Sequence, residues 1–164
     1  MAFWHNTAHG LCARIYFGHR RSDVAVVKWT DLEVAAGNVV QSKTGKKLWI
    51  PMHPELAKAL EATPRRGEYV VMTQYGQPFS AKALGMRMQE WTEQAGLAPG
   101  HTLHGLRKTL GKMLAEAGAT TRELMAILGH DDIAHAELYS REAEQKRLAS
   151  EGMRKLAKRG EPIG

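Results

Sequence analysis

Apolar residues recur at helical spacing in the last third of the chain. From Leu103 onward Leu106, Leu110, Met113, Leu114 and Ala117 fall on one stripe, which predicts a helix with that face buried. His104 and Arg107 lie off the stripe and are neighbours on the helix surface. Gly111 stands one turn further along, where a backbone or a ligand can approach closely. The helix ends near Gly118. Thr120-x-x-Glu123 then forms a capping-box pattern that opens a short helix with Leu124, Ile127 and Leu128 inward. Gly129 stops that helix in the left-handed conformation, so His130 emerges in a fixed direction. Asp131 or Asp132 caps a further short turn on which Ile133 and Ala136 face one way, and Tyr139 follows.

Upstream the pattern alternates between helix and strand. Residues 9–17 have helix-compatible spacing, Gly18 interrupts it, and Ser22 or Asp23 caps a new helix that Val24 and Val27 carry to Trp29. Asn38 to Ser42 and Lys46 to Pro51 are β-rich runs joined through Lys43-Thr44-Gly45, a hairpin, and Tyr69 to Met72 is a third short strand. Pro54 opens a helix through Ala62. Ser80 caps another that runs to Ala95 with Leu84, Met88 and Trp91 inward, and Gly96 closes it. Residues 142–157 form a charged helix whose sparse apolar side holds Ala143, Leu148, Ala149, Leu156 and Ala157. The fold class is therefore α+β, mainly helical with a small three-stranded antiparallel sheet.

Composition narrows the possibilities. A chain of 164 residues with 43% hydrophobic content buries one sizeable core, so residues 1–164 read as a single domain. A net charge of +6 points to a polyanionic partner without choosing among DNA, RNA and an acidic membrane surface. The single cysteine, Cys12, excludes an internal disulfide, and its neighbours Leu11, Ile15 and Tyr16 favour a buried structural thiol. No apolar run approaches the ~20 residues of a membrane span, and the first residues lack a signal-peptide build. A soluble, cytoplasmic protein with no membrane partner is expected. His101, His104, His130 and His135 are close in sequence but lack His-Glu-x-x-His spacing or cysteine partners, so no metal site is expected.

The combination His104-x-x-Arg107, Leu128-Gly129-His130 and Tyr139 resembles the second half of a tyrosine recombinase (phage-type integrase) catalytic domain. Upstream, Gly18-His-Arg20 followed by Ser22 and Asp23 is similar to that family's Gly-x-Arg box, and Arg20 aligns with its first catalytic arginine; Arg21 is the non-equivalent neighbour. Read without the resemblance, Arg20 would pair with Asp23 as an ion pair at a helix start. Ser42-Lys43-Thr44-Gly45 matches the family's hairpin lysine, with Lys46 and Lys47 as nearby competitors. Phe17 and His19 depart from the family pattern on either side of Gly18. The resemblance spans roughly residues 14–150.

The resemblance implies DNA strand cleavage and rejoining through a covalent 3′-phosphotyrosyl intermediate at Tyr139. Arg20 and Arg107 would grip the phosphate in forked geometry, and His130 would add a hydrogen bond. His104 fits proton transfer. Lys43 fits the general acid for the departing 5′-oxygen, because an ammonium beside two arginines gives up its proton more readily. No cofactor and no metal are implied. The partner would be double-stranded DNA, with self-association into a tetrameric synapse on DNA and a monomer when isolated. The family's N-terminal core-binding domain is expected to be absent, with weaker binding as a result. The terminal helix about residues 142–157 would pack on its own domain or on a neighbouring protomer. Two other readings share the fold: a catalytically silent DNA-binding or assembly remnant, and a type IB topoisomerase-like nicking and closing enzyme.

Overall fold

The protein's structure, a computed structural model, describes residues 18–32 and 36–159. The expectations for residues 9–17, including Cys12 and Phe17, lie outside the described residues. The order is α1 (Arg21–Val24), a 3-10 turn (Trp29–Asp31), β1 (Ala36–Val40), β2 (Lys47–Pro51), α2 (Pro54–Glu61), α3 (Ala81–Gln94), α4 (Leu103–Glu116), α5 (Thr121–Leu128) and α6 (Ile133–Arg159). Among the described residues no helix is long and apolar enough to cross a membrane.

The sheet has two strands rather than three. β1 and β2 form an antiparallel hairpin in which Asn38 faces Trp49 and Val40 faces Lys47. Tyr69 to Met72 makes only isolated bridges, Tyr69 to Lys28 and Met72 to Pro78. The reason lies in Val70 and Val71, which are both buried although adjacent; a strand on a half-exposed sheet would put them on opposite faces. α1 also stops earlier than the apolar pattern implies. The β-branched run through Val26 and Val27 favours extended backbone, and Val27 accepts a hydrogen bond from the Val70 N–H (2.9 Å) instead of continuing the helix. Arg20, not Ser22 or Asp23, occupies the cap position, with no side-chain cap bond.

Two apolar clusters share α4. Val24, Val27, Val70, Val71, Leu84 and Met88 enclose its first turns at Leu103 and Leu106. Leu110 and Ala115 then join Leu124, Leu128 and Ala136 in the second cluster. Because α4 passes from one cluster to the other, its buried side keeps Leu103, Leu106 and Leu110 of the stripe but departs from it at the end: Met113 and Ala117 are exposed, Ala115 is buried, and Arg107 is buried at the seam. The caps of α3 and α5 fall where the sequence puts them. Thr120 and Glu123 exchange both capping-box bonds, and Ser80 accepts from the Ala83 N–H at 3.1 Å.

α6 is one continuous helix of 27 residues, not a short turn followed by a separate helix. Ala136, Tyr139 and Ala143 pack on the second cluster, whereas Ile133 is exposed. Leu148, Met153 and Leu156 are exposed further along.

Candidate active site

A cleft of about 850 Å³ opens between α1, the hairpin turn, the start of α4 and the loop after α5. Arg20, Lys43, His104, Arg107 and His130 all line it. Tyr139 does not. Its ring lies behind His130, stacked at 6.3 Å with an interplanar angle of 10°, and rests on Gly111. A methyl group built at Gly111 would sit 2.9 Å from Tyr139 Cε1 and Cζ, so the close approach anticipated at this glycine is made by the tyrosine ring. Tyr69 and Tyr75 line no part of the cleft.

Arg107 is the central surprise of the site, since the helical pattern placed it on the surface. Its Nη1 donates to the Gly18 carbonyl and its Nη2 to the Leu128 carbonyl, both at 2.6 Å. Those bonds hold the loop before α1 and the end of α5 together. A guanidinium has five N–H donors, so these two bonds leave three of them unused. Burial, followed by repulsion from Arg20, pulls the Arg107 pKa below its ordinary value.

Arg20 is joined to the hairpin rather than to Asp23. Its Nη1 donates to Gln41 Oε1 at 2.9 Å, while Asp23 Oδ1 accepts the Ser42 N–H at 2.8 Å. The turn that bears Lys43 is fixed further by the Thr44 hydroxyl, which donates to the same Gln41 oxygen at 2.9 Å. Of the competing lysines, Lys46 is engaged with Asp131 at 3.0 Å, and neither Lys46 nor Lys47 lines the cleft.

His130 leaves α5 through Gly129, whose φ of 63° is the left-handed conformation the sequence predicts. A Cβ there would also lie 2.0 Å from Gln41 Nε2, so the residue must be glycine on two grounds. Burial, with Arg107, His135 and Arg20 adding repulsion, pushes His130 down to about 4. The ring is therefore neutral at physiological pH. Its Nδ1 is buried, which leaves Nε2 to serve the cleft. His104 is exposed on the first turn of α4.

Several cleft residues carry no sequence signal of comparable strength. Arg21, Lys82 and His135 line it as well. Gln41, which lies just past β1 and does not line the cleft, continues the inward alternation of Val39, and a polar residue in that buried register was the one readable clue to it. His19 is buried at 5% exposure, and burial pushes its pKa down to about 4 against the opposing attraction of Asp23.

His19 gives a pH prediction. Its folded pKa is below the unfolded value of 6.5, so its contribution to stability is complete above that value and is lost as pH falls toward 4. Moving from about pH 7 to about pH 5 should cost roughly 2 kcal/mol through this ring. Urea unfolding at the two pH values should show that loss, reduced by a similar amount in His19→Gln. An equal loss in both proteins would contradict it.

Comparison with known proteins gives a consistent picture. The model of the phage integrase family matches residues 6–146. Tyrosine recombinase XerC of Xanthomonas campestris pv. campestris (strain B100) is 27% identical over 129 residues, which cover 75% of this chain and 40% of that protein. The chain thus spans about two-fifths of that relative's length. Among solved structures, XerA recombinase superposes with a TM-score of 0.74 at 21% identity, over 89% of this chain and 58% of the other. A lambda integrase tetramer bound to a Holliday junction superposes with a TM-score of 0.60 at 23% identity, over 76% and 41% respectively.

Proposed function

The chain belongs to the phage integrase family, and from that premise we propose that it is the strand-cleaving catalytic domain of a tyrosine recombinase, acting on double-stranded DNA. The observation that carries this reading is the convergence of Arg20, Lys43, His104, Arg107 and His130 on one cleft, with the Tyr139 ring stacked directly behind His130.

In this reading a scissile phosphate lies in the cleft with its non-bridging oxygens against Arg20, the free N–H groups of Arg107 and His130 Nε2. These groups favour the extra negative charge of the pentavalent transition state. The Tyr139 oxygen attacks phosphorus and its proton passes to His104. The bond to the 5′-oxygen breaks, and that oxygen takes a proton from Lys43. The product is a 3′-phosphotyrosyl bond and a free 5′-hydroxyl. Attack by a 5′-hydroxyl on the phosphotyrosyl bond reverses the sequence and rejoins the strand. Tyr139 is packed on Gly111 and does not line the cleft, so attack requires the start of α6 to shift when DNA binds.

The relative's DNA-bound tetramer extends the proposal to assembly. Self-association on DNA would cover Leu148, Met153 and Leu156, which are exposed on the second half of α6.

Binding should be dominated by phosphates. Arg20, Arg21, Lys43 and Lys82 on the cleft walls would make log affinity fall with log salt by about 0.9 for each phosphate they neutralise. Lys82→Ala should make the slope shallower by about 0.9. A slope near zero, or one that Lys82→Ala leaves unchanged, would remove the cleft from the DNA interface.

The reading is tested by covalent capture. A pool of nicked suicide duplexes, randomised around the nick, should yield an SDS-stable complex with the full chain, and chelator should not abolish it. A complex formed only with added metal would refute a mechanism in which guanidinium groups supply the charge.

A further inference from the structure

Gln41 carries no charge and no nucleophile, yet its carboxamide makes four hydrogen bonds beside the cleft. It is fully buried. Its Oε1 accepts from Arg20 Nη1 and from the Thr44 hydroxyl, both at 2.9 Å. Its Nε2 donates to the Leu128 carbonyl at 3.4 Å and to the Gly129 carbonyl at 3.3 Å. The orientation is fixed by chemistry, because a guanidinium must meet the oxygen and two carbonyls must meet the nitrogen. The Leu128 carbonyl also accepts from Arg107 Nη2 at 2.6 Å. Arg20, Gln41, the end of α5 and Arg107 therefore form one unbroken chain of hydrogen bonds. The same carboxamide is tied through Thr44 to the turn of Lys43, and through Gly129 to the peptide that launches His130.

We infer that Gln41 is a positioning residue: it sets the separation of the two arginine guanidiniums. This rests on the proposed strand-cleavage function. Arg20 is half-buried and would otherwise swing on a long, flexible stem. Two guanidiniums repel each other, and a neutral residue offering one acceptor and two donors can bind one of them and the carbonyl held by the other without cancelling either charge. Glutamate would neutralise Arg20 and face two carbonyls with an oxygen; methionine would fill the space and make none of the bonds.

The test compares two substrates in single-turnover adduct formation with the full chain. One duplex carries the ordinary scissile phosphate. In the other a methyl group replaces one non-bridging oxygen, so the phosphorus centre is neutral and depends less on correctly spaced positive charge. Gln41→Met should slow the ordinary duplex roughly 100-fold, the cost of misplacing a catalytic group by about 1 Å. On the methylphosphonate its rate should lie within about threefold of wild type. Gln41→Glu, which has the same shape, should show the same substrate dependence, and urea unfolding of both variants guards against a loss of folding. Equal slowing on both duplexes in both variants would mean that Gln41 serves only the fold, and an unchanged ordinary rate would mean that it does not position the arginines; either overturns the inference alone. A wild-type chain that forms no adduct on either duplex overturns the proposed function, and this inference with it.

Discussion

Tyr139→Phe should abolish the covalent DNA complex while leaving folding and DNA binding essentially intact. The phenyl ring keeps the stack on His130 at 6.3 Å, the contact with Gly111 and the packing on the second apolar cluster. No protein hydrogen bond to the Tyr139 hydroxyl is present among the described residues, so its removal should change stability by less than about 1 kcal/mol. The chemical loss is of a different order. Removing a nucleophile costs on the order of 10⁶ in rate where the remaining site stays assembled. The comparison is a denaturing gel of wild type and variant on the same nicked duplex, with binding followed separately by fluorescence anisotropy. An SDS-stable complex that survives Tyr139→Phe would assign the chemistry to another side chain.

Lys43→Ala should be the next largest effect, and it has a chemical signature. Without a proton donor the departing 5′-oxygen leaves as a poor alkoxide, and loss of a general acid costs about 10² to 10⁴ in rate. A 5′-bridging sulfur leaves as thiolate without protonation, so that substrate should restore cleavage by Lys43→Ala. An arginine variant provides the contrast, and the structure determines which one to use. Arg107→Ala would strand the Gly18 carbonyl and leave the Leu128 carbonyl with only its long bond from Gln41, mixing a folding defect of about 1 to 3 kcal/mol with a catalytic one. Arg107→Lys keeps a charge but loses the fork, and should remain slow on both substrates. Lys46→Ala should behave differently from both, since Lys46 is paired with Asp131. Sulfur rescue of Lys46→Ala, or an ordinary rate for Lys43→Ala, would contradict the role given to Lys43.

What could be read from the sequence was mostly local. Caps are short-range devices, so Thr120 with Glu123, Ser80, and Gly129 before His130 stand where their neighbours dictate. The hairpin and its Lys43 turn are local for the same reason. The departures at the site involve partners distant in the chain. Arg107 is three residues from His104 on a polar stripe, but its fate is decided by carbonyls 89 and 21 residues away. Periodicity could not show that α4 changes clusters halfway, which exposes Met113 and buries Ala115. Tyr69 to Met72 has strand composition but pairs across to Val27 and Lys28 instead of joining the hairpin. Gln41 had only its inward register to mark it, because its importance comes from four bonds to residues 20, 44, 128 and 129.

The central claim is that a phosphodiester is exchanged for a bond to Tyr139 within this cleft. The most direct measurement is to isolate the complex trapped by the wild-type chain, digest both protein and DNA, and identify the linked peptide and strand end by mass spectrometry. The predicted result is a 3′-phosphoryl nucleotide on the peptide that contains Tyr139, with a free 5′-hydroxyl on the released strand. Linkage to a 5′-phosphate, linkage to any other residue, or no linkage would contradict it.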